Sequence, residues 1–246
     1  MARDRKPYLL AALATGTLWV LAWPATGSLT PLAFVAWVPL LWAADRYLRS
    51  SREDRPGDWL PTVYLSLILW NACTTFWLGL VEEPWGTRLI SGGFPMVANS
   101  ALMVLPWWIY RATHRRLGPR FAPAALVVSW LTFEHLHFDW DLQWPWLTLG
   151  NVFAVRTGWV QWYEWTGALG GSLWVWVVNL LVLKAVLAFQ LGRQGLARRT
   201  GLLALGSVLL PIVVSFAIDH LRTETKGPAV EVVVVQPNID PYTEKF

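Results

Sequence analysis

Four side chains of metal-binding type alternate at His135, His137, Asp139 and Asp141, inside the stretch EHLHFDWDLQWPWLTLGN at residues 134–151. On an extended backbone a period of two would turn all four to one side, as a cation site needs; on a helix they would scatter. No cysteine stands nearby and the spacing matches no recognised metal motif, so neither a metal nor a cofactor is assigned. A plainer reading is an interfacial loop whose acids cap a helix or face water. A third reading lies between them: Glu134, His137 and the turn Trp144, Pro145 and Trp146 shape a mouth through which lipid enters. Ionisable residues at the edge of hydrocarbon cost free energy and mark functional sites. The interleaved Phe138, Trp140, Trp144 and Trp146 suit a headgroup layer, where a ring is apolar at one end and wet at the other. The single cysteine, Cys73, lies in an apolar run, where a thiolate is suppressed, and reads as a core residue with no disulfide partner.

The elements that must position these residues are apolar. Hydrophobic residues make up 55% of the 246 and charged residues 15%, with a mean hydropathy of +0.39, where an ordinary soluble domain carries roughly 25% charged. This excludes a water-soluble chain and predicts an all-α multi-pass membrane bundle. Nineteen tryptophans read as interfacial belts. The net charge of +4 is spread over short clusters between apolar runs, which speaks for topology signals and against a nucleic-acid surface.

Seven runs are predicted to cross, at residues 8–23, 31–44, 59–81, 94–110, 121–133, 167–189 and 201–218. Pro39 should kink the second. Asn71, Thr74 and Thr75 in the third read as hydrogen-bonding groups between helices. The loop at 82–93 carries the solvated acids Glu82 and Glu83 and a turn at Gly92 and Gly93. A second aromatic and acidic cluster, with Trp162 and Glu164, precedes the sixth run. That run opens on Gly167, Ala168, Gly170, Gly171 and Ser172, small enough to let a neighbouring backbone approach. Lys and Arg divide fifteen to five between alternate sides, which predicts a cytoplasmic N-terminus, with residues 134–151 and the C-terminal tail on the outer face. Residues 1–222 then form the membrane domain. Within 223–246, the run AVEVVVV at 229–235 reads as a buried strand. A lone strand is unstable, so it is expected to open a sheet-containing domain that continues beyond Phe246.

Several stretches occur in an order that resembles the membrane part of bacterial apolipoprotein N-acyltransferases, particularly their Bacteroidetes branch: Phe76 and Trp77 before the Gly92 and Gly93 loop; Glu134 before Trp144, Pro145, Trp146 and Gly150, Asn151; Gln161, Trp162, Tyr163 and Glu164 before Gly167, Gly170 and Gly171; and Gln236, Pro237 and Asn238 after the valine run, with Lys245 near the end. The resemblance implies a nitrilase-like domain whose Glu-Lys-Cys triad takes an acyl chain from a phospholipid as a thioester. The acyl chain then passes to the α-amine of a diacylglyceryl-cysteine on a lipoprotein. By the same resemblance the triad lies beyond Phe246, so these residues alone should be inactive. The lipid-binding candidates are Glu134, His137, Trp144, Pro145, Trp146, Trp77, Trp162 and Glu164, in a bacterial inner membrane with phospholipid and lipoprotein as partners. A non-catalytic lipid-binding protein is the alternative. A transporter fits less well, because no span has a charge at its centre and no repeats are visible.

Overall fold

The computed structural model describes residues 4–51, 58–80, 84–141, 143–222 and 230–237. Among them helix dominates and no strand occurs. In chain order come α1 (Lys6–Ala22), α2 (Val38–Arg49), α3 (Leu60–Thr75), α4 (Trp85–Arg88), α5 (Phe94–Leu102), α6 (Val104–Leu117), α7 (Ala122–Leu136), α8 (Tyr163–Gln190) and α9 (Gln194–Leu221). Proline sits in the first turn of α1, α2, α3, α5 and α7, where its missing N–H is not needed and its φ suits the helix. Pro39 therefore opens α2 and does not kink a longer helix. Gly92 and Gly93 make no turn either: they close a π-helical segment, Leu89–Gly93, that carries α4 into α5. Glu82 and Glu83 lie outside the described residues.

Among the described residues three segments are long and apolar enough to cross a membrane: Trp85–Leu117, Tyr163–Gln190 and Gln194–Leu221. The apolar α1, at 17 residues, is shorter. α9 leaves Leu202, Leu210 and Val213 exposed, as a lipid-facing helix does. α8 is broken after its first turn by Gly167, whose φ of 60° lies in the region that only glycine enters freely. The valine run forms no strand: Val230–Val235 is exposed and has no hydrogen-bonded neighbour segment among the described residues, as follows when no second strand is there to pair with it.

The second apolar run is not one helix. A 3-10 turn, Thr30–Phe34, precedes α2, and the break frees backbone groups that hydrocarbon cannot satisfy. Asn179 of α8 takes up both sides of it. Its Oδ1 accepts from the Trp37 N–H at 2.8 Å, and its Nδ2 donates to the Ala33 carbonyl at 2.8 Å and to Val175 O at 2.8 Å. The Val38 N–H donates to the Val35 carbonyl at 3.0 Å, and Thr15 of α1 accepts from the Leu40 N–H at 3.1 Å. Asn71 and Thr75 bond to each other within α3, at 3.1 Å, and not across helices.

The tryptophans divide differently from a belt. Trp19, Trp37, Trp59, Trp70, Trp107, Trp130 and Trp176 are fully buried. Trp37 and Trp176 stack with ring centres 5.2 Å apart and planes 2° apart, and Trp130 packs edge-on to Trp37 at 5.1 Å. Such pairs add about 0.5–1.5 kcal/mol each beyond area burial. They give the bundle an aromatic centre that ends at Trp130, beside the polar stretch.

Candidate functional site

α7 continues one turn past the apolar run, so Glu134 and His135 are helical. This removes the extended backbone on which four alternating ligands would align. His135, Asp139 and Asp141 are exposed, and no group of three or more His, Cys, Asp and Glu gathers among the described residues.

Glu134 lies four residues after Trp130, on the same helix face. The Trp130 Nε1–H donates to Glu134 Oε1 at 2.8 Å, and the Leu149 backbone N–H donates to the same oxygen at 2.8 Å. One carboxylate oxygen thus ties the aromatic centre to the returning loop. The other, Oε2, has no hydrogen-bond partner among the described residues, although the residue is only 3% exposed. His137 caps α7. Its Nδ1–H donates to the Phe133 carbonyl at 3.1 Å, which leaves Nε2 as an acceptor; Nε2 is also without a partner. Burial holds the His137 imidazole below the usual histidine range, against the opposing effect of the Phe133 bond.

The residues that carry these atoms line one small space. A small chamber bounded by Asn99, Met103, Phe133, Glu134, His137 and Trp144 has room for about one water molecule. Asn99 Oδ1, Glu134 Oε2, His137 Nε2 and the Trp144 Nε1–H are all buried without partners. Such groups cost about 1–3 kcal/mol each unless something meets them. The chamber shares Asn99, His137 and Trp144 with a wider cavity of about 700 Å³, whose walls include Phe94, Pro95, Ala98, Leu102 and Trp140 and whose rim carries Asp139, Asp141 and Gln143.

The expected residues fall into three groups. Glu134, His137 and Trp144 meet at the chamber. Pro145 and Trp146 form the adjoining 3-10 turn, Pro145–Leu147; the Pro145 carbonyl accepts from Asn151 Nδ2 at 2.9 Å, and Trp146 packs edge-on to Trp77 at 5.1 Å. Trp162 and Glu164 stand apart. The Trp162 ring packs on Trp174 at 5.6 Å, and exposed Glu164 pairs with Arg222 at 2.7 Å, joining the N-terminal end of α8 to the C-terminal end of α9. Asn99 was not anticipated, although an amide inside the apolar fourth run was a signal. Trp130 was detectable only from its i, i+4 spacing to Glu134.

The loop is held by close backbone contact. The Gly150 N–H donates to Ser172 Oγ at 3.0 Å, and the Tyr163 hydroxyl donates to the Gly150 carbonyl at 2.9 Å. A methyl group at Gly150 would lie 2.0 Å from the Ala168 carbonyl oxygen, so the small residues of α8 do admit a neighbouring backbone. Gly150→Ala is expected to destabilise the protein by about 1–3 kcal/mol, read as a lower thermal midpoint in detergent. An unchanged midpoint would show that the loop moves freely off α8.

A sequence profile described as the apolipoprotein N-acyltransferase N-terminal domain matches residues 15–181. Among curated proteins named apolipoprotein N-acyltransferase, the one from Chlorobaculum tepidum is 29% identical over 242 residues, covering 96% of this chain and 42% of the relative. That from Geobacter metallireducens is 24% identical over 97% of this chain and 44% of the relative, and that from Pseudomonas syringae pv. tomato is 28% identical over 98% and 46%. The chain therefore spans less than half the length of these relatives. No solved structure matches it. With the profile covering well over half of its residues, the chain belongs to the apolipoprotein N-acyltransferase family, through that family's N-terminal domain.

Proposed function

We propose that residues 1–222 are the lipid-holding membrane moiety of an enzyme that moves an acyl chain from a phospholipid to the N-terminal amine of a diacylglyceryl-cysteine, and that the 700 Å³ cavity seats the acyl donor. The observation that carries this reading is the water-sized chamber next to the cavity, whose lining residues carry four buried polar atoms without partners among the described residues. The polar end of an amphiphile in the cavity meets them at the residues the two spaces share, Asn99, His137 and Trp144. The rim carries Asp139 and Asp141, and no Lys or Arg among the described residues lines the cavity, so a headgroup presenting an ammonium is favoured. Cys73 sits half-buried on α3, away from these walls. In this reading the cavity binds the donor, and the Glu-Lys-Cys chemistry belongs to a nitrilase-like domain outside residues 1–246.

The topology that goes with this reading has seven crossings in a bacterial inner membrane, with a cytoplasmic N-terminus. It rests on the fifteen-to-five division of Lys and Arg, and it places the Glu134 cavity and the tail on the outer side. The test is photocrosslinking of the detergent-solubilised protein with a phosphatidylethanolamine that carries a diazirine in one acyl chain. Crosslinks are expected at Phe94, Leu102 or Trp140, and Ala98→Trp, which fills the cavity, should lower their yield at least fivefold. Equal yield from the Trp variant, with its melting curve unchanged, would rule out this cavity as the donor seat.

A further inference from the structure

We infer that a second lipid site lies at the basic end of the bundle, distinct from the Glu134 cavity, and that it takes a phospholipid with a net negative headgroup. A groove of about 620 Å³ opens where α6, α7, α8 and α9 meet. One face of α8 forms its wall through Val177, Leu180, Leu187 and Leu191, spaced at three, seven and four residues and so in line along the helix. At 1.5 Å per residue the stripe is about 21 Å long, more than the roughly 15 Å depth of one hydrocarbon leaflet. An acyl chain can lie along all of it.

The charges are gathered where a headgroup would be. Arg120 and Arg193 stand at the groove's mouth, and Lys184 interrupts the apolar stripe two turns before the end of α8. A lysine placed there extends its stem along the apolar wall and brings its ammonium up to the polar level. None of the three has an ion-pair partner among the described residues. The other charged groups lining the groove do not offset them. Asp45 is paired with Arg49 at 2.7 Å, and the His114 ring packs tilted against Tyr110. Three cations around one apolar slot suit a phosphate, which two guanidinium groups can bind in bidentate fashion. The Glu134 cavity, with acids at its rim and no Lys or Arg in its walls, suits the opposite headgroup, so the two sites are separable by charge.

The test is native mass spectrometry of the whole protein in detergent, titrated with phosphatidylglycerol or phosphatidylcholine. One phosphatidylglycerol adduct is expected to survive activation that strips phosphatidylcholine. Each neutralised cation should weaken it about fivefold, so Arg120→Gln with Lys184→Gln should weaken it about 25-fold. Lys184→Arg should retain it, as should Arg198→Gln, which removes a charge from the same end outside the groove. Equal retention of both lipids, or an adduct as strong in the double variant as in the native protein, overturns the site. A loss as large in Arg198→Gln overturns it too, because general surface charge would then be the cause. If the double variant does not fold, the two single Gln variants carry the same comparison at about fivefold each.

Discussion

Asn179→Leu is expected to destabilise the protein by about 3 kcal/mol. Leucine fills nearly the same volume, so the loss comes from what is left behind. The Trp37 N–H and the Ala33 carbonyl both depend on the Asn179 amide. They sit at a break in the chain where no helical bond replaces it. A buried group left without its partner costs about 1–3 kcal/mol, and two are orphaned here. Thr15→Val removes one bond, to the Leu40 N–H, and should cost about half as much. The ordering is measured by intrinsic tryptophan fluorescence during unfolding in SDS. If Thr15→Val were the more damaging, Asn179 would not be what holds the break between Phe34 and α2 closed.

That break marks the limit of what could be read from residues alone. Hydropathy located every long helix, because a run of twenty apolar residues has few other uses; α8 exceeds its predicted run by four residues at the start and one at the end, and α9 by seven and three. Hydropathy failed where an apolar run does not stay helical. Residues 31–44 look like one kinked span, yet the chain breaks there, and the cause lies some 140 residues away in Asn179. The tryptophans were misplaced for a related reason. Interfacial preference is a statement about single residues, whereas the burial of Trp37 depends on Trp19, Trp70, Trp107, Trp130 and Trp176 all arriving at the same point. The polar stretch was legible in part. Glu134, His137 and Trp144 stood out as costly or amphipathic residues at a membrane edge. Asn99 comes from another helix, and no local pattern pairs it with them.

The decisive variant at this site is Glu134→Gln, because the two carboxylate oxygens have separate roles. Oε1 accepts from Trp130 Nε1–H and from the Leu149 N–H, and a glutamine carbonyl can occupy its place. Oε2 is buried without a hydrogen-bond partner among the described residues, on a side chain that lines the chamber together with Asn99 and His137. There the glutamine presents an N–H₂ donor where an acceptor stood. The fold should therefore survive Glu134→Gln with little change in melting temperature. Glu134→Ala orphans both N–H donors and should cost about 2–4 kcal/mol. If the chamber meets a donor group of the bound lipid, Glu134→Gln should lower the affinity for phosphatidylethanolamine by about 10–100-fold, the value of a hydrogen bond to a charged group. Binding to phosphatidylglycerol at the basic end should not change. Native affinity for both lipids in Glu134→Gln, with Glu134→Ala unstable, would make Glu134 a strut between α7 and the loop. The three remaining partnerless atoms would then have to account for recognition without it.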